Sequence, residues 1–183
     1  MLNNFHLTDS ATGLHWVFGY GSLIYKVDFP YRQREIASID GWARRFWQGS
    51  HDHRGTPAAP GRVLTLTRTP GQSCRGAAYL VEAEVFDHLD VREKNGYNRR
   101  DVEIFLLSTR TKVRGTTYFA DRNNPAYLGA ADPGEIAAQI ARARGPSGSN
   151  LDYLLHLAEA LREIDAEDPH VFEIEAVLLQ RHI

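Results

Sequence analysis

Apolar and polar positions fall into two regimes along this chain. Up to about residue 120 the apolar residues come in short runs rich in aromatic and β-branched side chains, whereas beyond it they recur at helical spacing. The first run, His15-Trp16-Val17-Phe18-Gly19-Tyr20, ends at two glycines, so a turn must follow it. Comparable runs cover residues 43–47, 62–67, 76–81, 102–107 and 115–120, with Gly-, Pro- or Asn-rich breaks between most of them. Short strands of this kind predict a mostly antiparallel, barrel-like sheet. A short helical pattern over residues 82–90 sits among the strands.

The last third predicts helices with legible starts. Asp132-Pro133-Gly134-Glu135 offers an N-cap, a proline at the first helical position and a capping-box glutamate ahead of Ile136, Ile140 and Ala143, and Gly145-Pro146 predicts the stop. Residues 150–164 carry Leu151, Leu154, Leu155, Leu157, Ala158 and Leu161 on about one face. Asp168-Pro169 opens a final helix with Val171, Ile174, Val177 and Leu178. Nothing reads as a linker, a repeat or a low-complexity segment, so strands and helices are expected to share one core: a single α+β domain over residues 1–183.

Composition narrows the function classes. Hydrophobic residues make up 43% and charged residues 24%, which argues against intrinsic disorder and fibrous architecture. A net charge of −2 offers no field for holding a polyphosphate backbone, so no nucleic-acid partner is expected. Cys74 is the single cysteine, which excludes intramolecular disulfides, four-thiolate zinc sites and iron–sulfur clusters and fits a reducing compartment. The start Met1-Leu2-Asn3-Asn4-Phe5-His6 lacks a basic stretch followed by an apolar one, and no run of about 18 apolar residues occurs, so a soluble cytoplasmic protein without membrane contact is expected.

Several segments carry candidate chemistry. Gly19-Tyr20-Gly21-Ser22-Leu23 follows a buried-looking strand, and glycines there let the backbone turn sharply and aim bare amides at a carboxylate-sized anion. Lacking a Gly-Lys-Ser/Thr sequence and a third glycine, it is neither a P-loop nor a dinucleotide fingerprint, and a plain tight turn would use the same residues. Glu93 sits where the helical stretch meets the Asn95-Gly96 break, three residues after Asp90; a neighbouring carboxylate or desolvation would lift its pKa, while Arg92 and Lys94 would lower it. A solvated helix end is the alternative.

The remaining segments read as structural. His51 and His53 alternate as metal ligands would, yet no second ligand pair is evident, and a loop anchored by an Asp52–Arg54 ion pair is expected instead. Residues 145–150 read as a plain helix-to-helix connection, and Cys74 as inert core with a nucleophilic thiol as the rival. The aromatic stretch 42–47 reads as core packing with Arg44 and Arg45 exposed.

Together, Val17-Phe18-Gly19-Tyr20-Gly21-Ser22-Leu23-Ile24, Arg44-Arg45-Phe46-Trp47-Gln48-Gly49-Ser50, Asp52-His53-Arg54-Gly55, Pro60-Gly61-Arg62-Val63, Arg92-Glu93-Lys94, Gly96-Tyr97, Asn124-Pro125, Tyr127-Leu128-Gly129 and Gly145-Pro146-Ser147-Gly148 are far more specific than any one alone. In this order and spacing the chain resembles the ChaC family of γ-glutamylcyclotransferases, glutathione-specific branch, from about Trp16 to about Leu161. The resemblance implies a small β-barrel flanked by helices and a cofactor-free, metal-free lyase that converts glutathione to 5-oxoproline and cysteinylglycine, with no obligatory protein partner. Tyr25 stands where the family usually has Trp, His51 where Thr is common and Asn95 where Gly is common. None of the three removes a catalytic group.

In that pattern Glu93 corresponds to the catalytic glutamate, base and then acid. Val17, Phe18, Gly19, Tyr20, Gly21, Ser22 and Leu23 correspond to the loop that holds the γ-glutamyl group. Tyr20 and Tyr118 are candidate hydrogen-bond partners of the substrate, and Arg54 is a candidate for the glycine carboxylate or else a structural ion pair. Two rival readings remain at this stage: a Cys74-dependent amidohydrolase, and a non-enzymatic binding module of the cation-transport-regulator kind.

Overall fold

The run that ends at two glycines forms β1 (Leu14–Gly19), and it is followed by four further strands: β2 (Gln33–Ser50), β3 (Gly61–Glu82), β4 (Tyr97–Leu106) and β5 (Thr111–Ala120). This computed structural model describes residues 12–93 and 96–181. The expectations placed on Met1 to His6, Lys94 and Asn95 lie outside the described residues.

The five strands close into a barrel in the order β1-β3-β2-β4-β5. β1 runs antiparallel to β3, from Leu14 opposite Glu82 to Gly19 opposite Ala77, and β2 runs antiparallel to β4 at Ala37 and Leu106. A parallel pairing of β1 with β5, Trp16 opposite Gly115, completes the closure. The mostly antiparallel barrel and the α+β class are as expected, and closure removes the edges that short strands would otherwise expose.

Strand lengths depart from expectation. Residues 43–47 are one piece of the 18-residue β2, and residues 62–67 and 76–81 are the two ends of the 22-residue β3. Between those ends, residues 68–73 are mostly exposed and polar, and Gly71 takes a left-handed backbone (φ 84°). A solvated stretch of strand carries no apolar alternation, so the pattern is silent there while the backbone pairing continues.

The chain folds into two compact units. One holds the described residues up to Ala43 with Arg68–Phe119, the other Arg44–Thr67 with the described residues from Ala120 onward. In the first unit, Val17, Ala77, Tyr79, Val81 and Tyr118 form a buried cluster with Phe29 and with Val85, Phe86 and Leu89 of helix α1 (Val85–Arg92). The alternation 77, 79, 81 is the period-two signature of one strand face, and α1 buries its apolar side in the same cluster.

The second unit contains α2 (Pro133–Arg142), the two-residue strands β6 (Arg144–Gly145) and β7 (Gly148–Ser149), α3 (Asn150–Glu163) and α4 (Pro169–Arg181). α2 packs on both α3 and α4. Asp132 caps α2 as the sequence indicates, its Oδ1 accepting the Glu135 N–H at 3.0 Å. Replacing Asp132 by Ala is expected to cost about 1 kcal/mol in urea unfolding, the usual value of such a cap.

Three expectations for this unit are corrected. α2 ends at Arg142, because Ala143 is already extended (ψ 137°), so the chain leaves the helix before Gly145-Pro146 is reached. Residues 145–150 are no plain connection: Gly145 pairs with Gly148, and Ser149 caps α3 through the Asp152 N–H at 3.0 Å. Arg44 is 1% exposed rather than at the surface, because its Nε meets Asp168 Oδ2 at 2.6 Å. Asp168 is at the same time the cap of α4, accepting the Val171 N–H at 3.1 Å. Among the described residues no helix is long and apolar enough to cross a membrane.

Candidate active site

Where β1 ends, the backbone reverses into a 3₁₀ turn, Ser22–Ile24, with Gly21 at its N-cap (φ −128°, ψ −126°). Gly19 is dictated by crowding: a Cβ there would lie 2.5 Å from Leu23 Cβ. The first bond of the turn runs from Ile24 N–H to Gly21 O at 3.0 Å, so the amides of Gly21, Ser22 and Leu23 precede any acceptor the turn itself provides.

Side chains from the neighbouring strands fasten this turn. The Tyr79 hydroxyl, from β3, donates to Leu23 O at 2.5 Å, and Arg34, from β2, donates through Nη2 to Ile24 O and through Nε to Tyr79 Oη, both at 3.2 Å. Burial pushes the Tyr79 pKa up and keeps it a donor. Tyr20 Oη donates to the Tyr118 carbonyl at 2.8 Å, which ties the turn to β5. Val17 and Phe18, at 0% and 1% exposure, pack their side chains inside, so what they present is main chain.

The Tyr118 hydroxyl donates to Asp90 Oδ1 at 2.6 Å. Burial, then this bond, holds its pKa far above the ordinary tyrosine value, while Arg99 and Tyr118 together hold the Asp90 carboxyl below its own. Asp90 is therefore engaged with Tyr118 and Arg99 and is not the carboxylate that acts on Glu93.

Glu93 is the C-cap of α1, its N–H bonded to Leu89 O at 2.9 Å and its side chain 21% exposed. Desolvation raises its pKa most; the Arg92 cation opposes that rise, as expected, and Asp28 adds to it. Arg92 brings the separate pieces together. Its Nη2 donates to Ser22 Oγ at 3.0 Å, its Nη1 to Asp28 Oδ1 at 2.7 Å, and its Nε lies 3.6 Å from Glu93 Oε1. The carboxylate and the glycine turn are thus one guanidinium apart, although Ser22 and Arg92 are separated by 70 positions in the chain.

Arg54 belongs to the second unit, where Nη1 donates to Ser149 O at 3.1 Å and the guanidinium lies over the Tyr153 ring at 5.4 Å. Asp52 meets His53 Nε2 at 3.7 Å. Cys74 is buried in β3 at 3% exposure. Among the described residues no three His, Cys, Asp or Glu side chains gather as metal ligands.

Asp28, Arg34 and Tyr79 are not legible as site residues in the sequence. Tyr79 lies in an apolar alternation that signals core, Arg34 in a stretch whose polarity hides the strand, and Asp28 in a loop with no motif of its own. Only contacts across the fold give them a role.

Comparison with known proteins places the chain among relatives. The pattern of the ChaC-like protein family matches residues 15–181. The chain is 44% identical over 173 residues to the zebrafish (Danio rerio) glutathione-specific γ-glutamylcyclotransferase 1, covering 90% of this chain and 88% of that protein. It is 35% identical to the Saccharomyces cerevisiae glutathione-specific γ-glutamylcyclotransferase, covering 86% and 89% of the two chains. A crystal structure of the yeast glutathione-specific enzyme superposes with a TM-score of 0.85 at 32% identity, over 92% of this chain and 97% of that one. A match across nearly the whole barrel and all four helices, with the glycine turn and Glu93 inside it, shows that this chain belongs to the ChaC-like family.

Proposed function

We propose that this protein is a glutathione-specific γ-glutamylcyclotransferase. The observation that carries the reading is a half-buried carboxyl, Glu93, with a raised pKa and joined through Arg92 to Ser22 of the glycine turn. The names of the relatives supply the substrate class.

A γ-glutamyl amide already contains its nucleophile. When the chain folds so that the α-amine meets the γ-carbonyl carbon, a C–N bond forms a five-membered lactam, the γ-amide C–N bond breaks, and cysteinylglycine leaves as an amine. Alignment of this kind supplies roughly 7 to 11 kcal/mol of the barrier. Glu93 as carboxylate takes the proton from the attacking amine, then returns it to the departing nitrogen, so no net proton is gained or lost. The amides of Gly21, Ser22 and Leu23, which the turn's own bonds do not use, hold the substrate carboxylate or the oxyanion, a contribution of order 10²- to 10³-fold per donor. Tyr20 and Tyr118 buttress this loop. The reaction is expected to need no metal, cofactor or protein partner and to run in the cytosol.

Mass-spectrometric analysis of products from glutathione, its oxidised dimer and a set of γ-glutamyl amino acids tests the reading. 5-Oxoproline and cysteinylglycine from glutathione are the expected pair. Free glutamate, with activity lost in Cys74→Ser, would instead indicate thiol hydrolysis, for which a thiol buried within β3 is poorly placed. A silent panel would leave the binding-module reading.

The base must be ionised to act, so kcat/KM is expected to fall as pH drops through the Glu93 pKa. Because burial raises that pKa, this acidic limb should lie above the ordinary glutamate range near about 4.3. A pH–rate profile with its limb at or below that value would contradict the assignment.

A further inference from the structure

We propose that Arg92 is a positioning residue for this reaction: its guanidinium, clamped by Asp28, holds Ser22 of the glycine turn and the Glu93 carboxyl in a fixed relation. The proposal rests on the cyclotransferase reading and adds to it a residue that never needs to touch substrate.

The geometry uses the whole planar fork. Nη1 is committed to Asp28 Oδ1 at 2.7 Å, which fixes the plane; Nη2 then reaches Ser22 Oγ at 3.0 Å, and Nε is left facing Glu93 Oε1 at 3.6 Å. The Arg92 side chain is 21% exposed, against 44% for Asp28, so the Ser22 and Glu93 side of the clamp is the drier one. There a misplaced charge costs more and a fixed one acts more strongly. A lysine could keep the charge facing Glu93 but not the two directed hydrogen bonds to Asp28 and Ser22 that fix the plane.

The clamp stands in a definite set of charges. Arg92 and His88 come from α1 and Asp28 from the loop after the 3₁₀ turn, with His88 Nε2 facing Asp28 Oδ2 at 3.4 Å. Asp90, also on α1, is taken up by Arg99 of β4 and Tyr118 of β5. Arg34 of β2 and Tyr79 of β3 serve the carbonyls of Ile24 and Leu23. Of these, Arg92 and Asp28 act on Glu93 in opposite senses, the cation favouring the ionised base and the anion disfavouring it.

The opposition yields a signed test. Profiles of kcat/KM against pH for 5-oxoproline release are measured for the wild type, Glu93→Gln, Arg92→Ala, Arg92→Lys and Asp28→Asn, with folding checked by circular dichroism. Arg92→Ala should move the acidic limb to higher pH and lower the plateau kcat about 10²-fold, the scale expected when a base is misplaced by about 1 Å. Asp28→Asn should move the limb the other way, to lower pH. Arg92→Lys should leave the limb near its wild-type position while recovering only part of the kcat. A merely structural arginine would not move the limb in opposite directions for the two partners. Should Arg92→Ala not fold, Arg92→Lys and Asp28→Asn carry the test alone. An active wild type and a dead Glu93→Gln, with limbs that stay put in the folded variants, overturns the role of Arg92 and leaves the reaction standing; no 5-oxoproline from the wild type overturns both.

Discussion

Glu93→Gln is expected to release no measurable 5-oxoproline from glutathione while remaining folded and still binding substrate. The amide keeps the shape of the carboxyl and loses only the capacity to take and return a proton, a function worth about 10²- to 10⁴-fold. The two described carboxylates nearest in this network are already engaged: Asp90 with Arg99 and Tyr118, and Asp28 with Arg92 and His88. The same substitution has a second signature, in stability. With its folded pKa raised by burial, Glu93 favours the folded state most when protonated, and that favour is lost as pH rises from the unfolded value, near about 4.3, through the folded one. Glu93→Gln escapes the loss. Its Tm should therefore exceed that of the wild type at neutral pH and converge with it in acid, the pattern of a site that gives up stability for chemistry. A folded variant that still cyclises glutathione, or one less stable than the wild type at neutral pH, would each be at odds with this placement of the side chain.

Gly19→Ala is expected to lower kcat/KM about 10²-fold without unfolding the protein. The added Cβ would sit 2.5 Å from Leu23 Cβ, close to the backbone and unable to swing aside, so the turn itself must move. Its exit is held by the Tyr79 hydroxyl on Leu23 O and by Arg34 on Ile24 O, so the displacement falls on Gly21, Ser22 and Leu23, whose amides are assigned to the substrate. Shifts on the order of 1 Å in a reacting group have this scale of effect. The stability cost should stay within about 1 to 3 kcal/mol, as for other overpacked sites. Kinetics beside a urea titration separate the two; wild-type turnover in the folded variant would show that the turn does not hold the substrate.

Much of the local structure is legible in the chain itself. The caps Asp132 and Asp168, most of the helical faces of α3 and α4 and the run ending at Gly19 are all written in residues within a few positions of each other, and the structure follows them, with Leu151, Leu155 and Val177 only half-buried. What the chain leaves unwritten shares one physical cause. The silent stretch of β3, residues 68–73, is polar and mostly exposed, so it forms strand by pairing with neighbours rather than by any alternation of its own. An arginine in a charged pair belongs at the surface by its own chemistry, yet Arg44 is buried because Asp168, far along the chain, meets it.

The candidate site divides in the same way. Local sequence determined that a sharp glycine turn follows β1 and that a carboxyl stands at the end of α1, since both depend on short-range sterics and helix termination. Tertiary structure decided that Arg92 joins them, that Asp28 rather than Asp90 is the carboxylate acting on Glu93, and that Tyr79 and Arg34 hold the turn. Burial and electrostatic fields depend on distance in space, and it is the tertiary fold that brings positions 22, 28 and 92, up to 70 apart in the chain, within bonding reach.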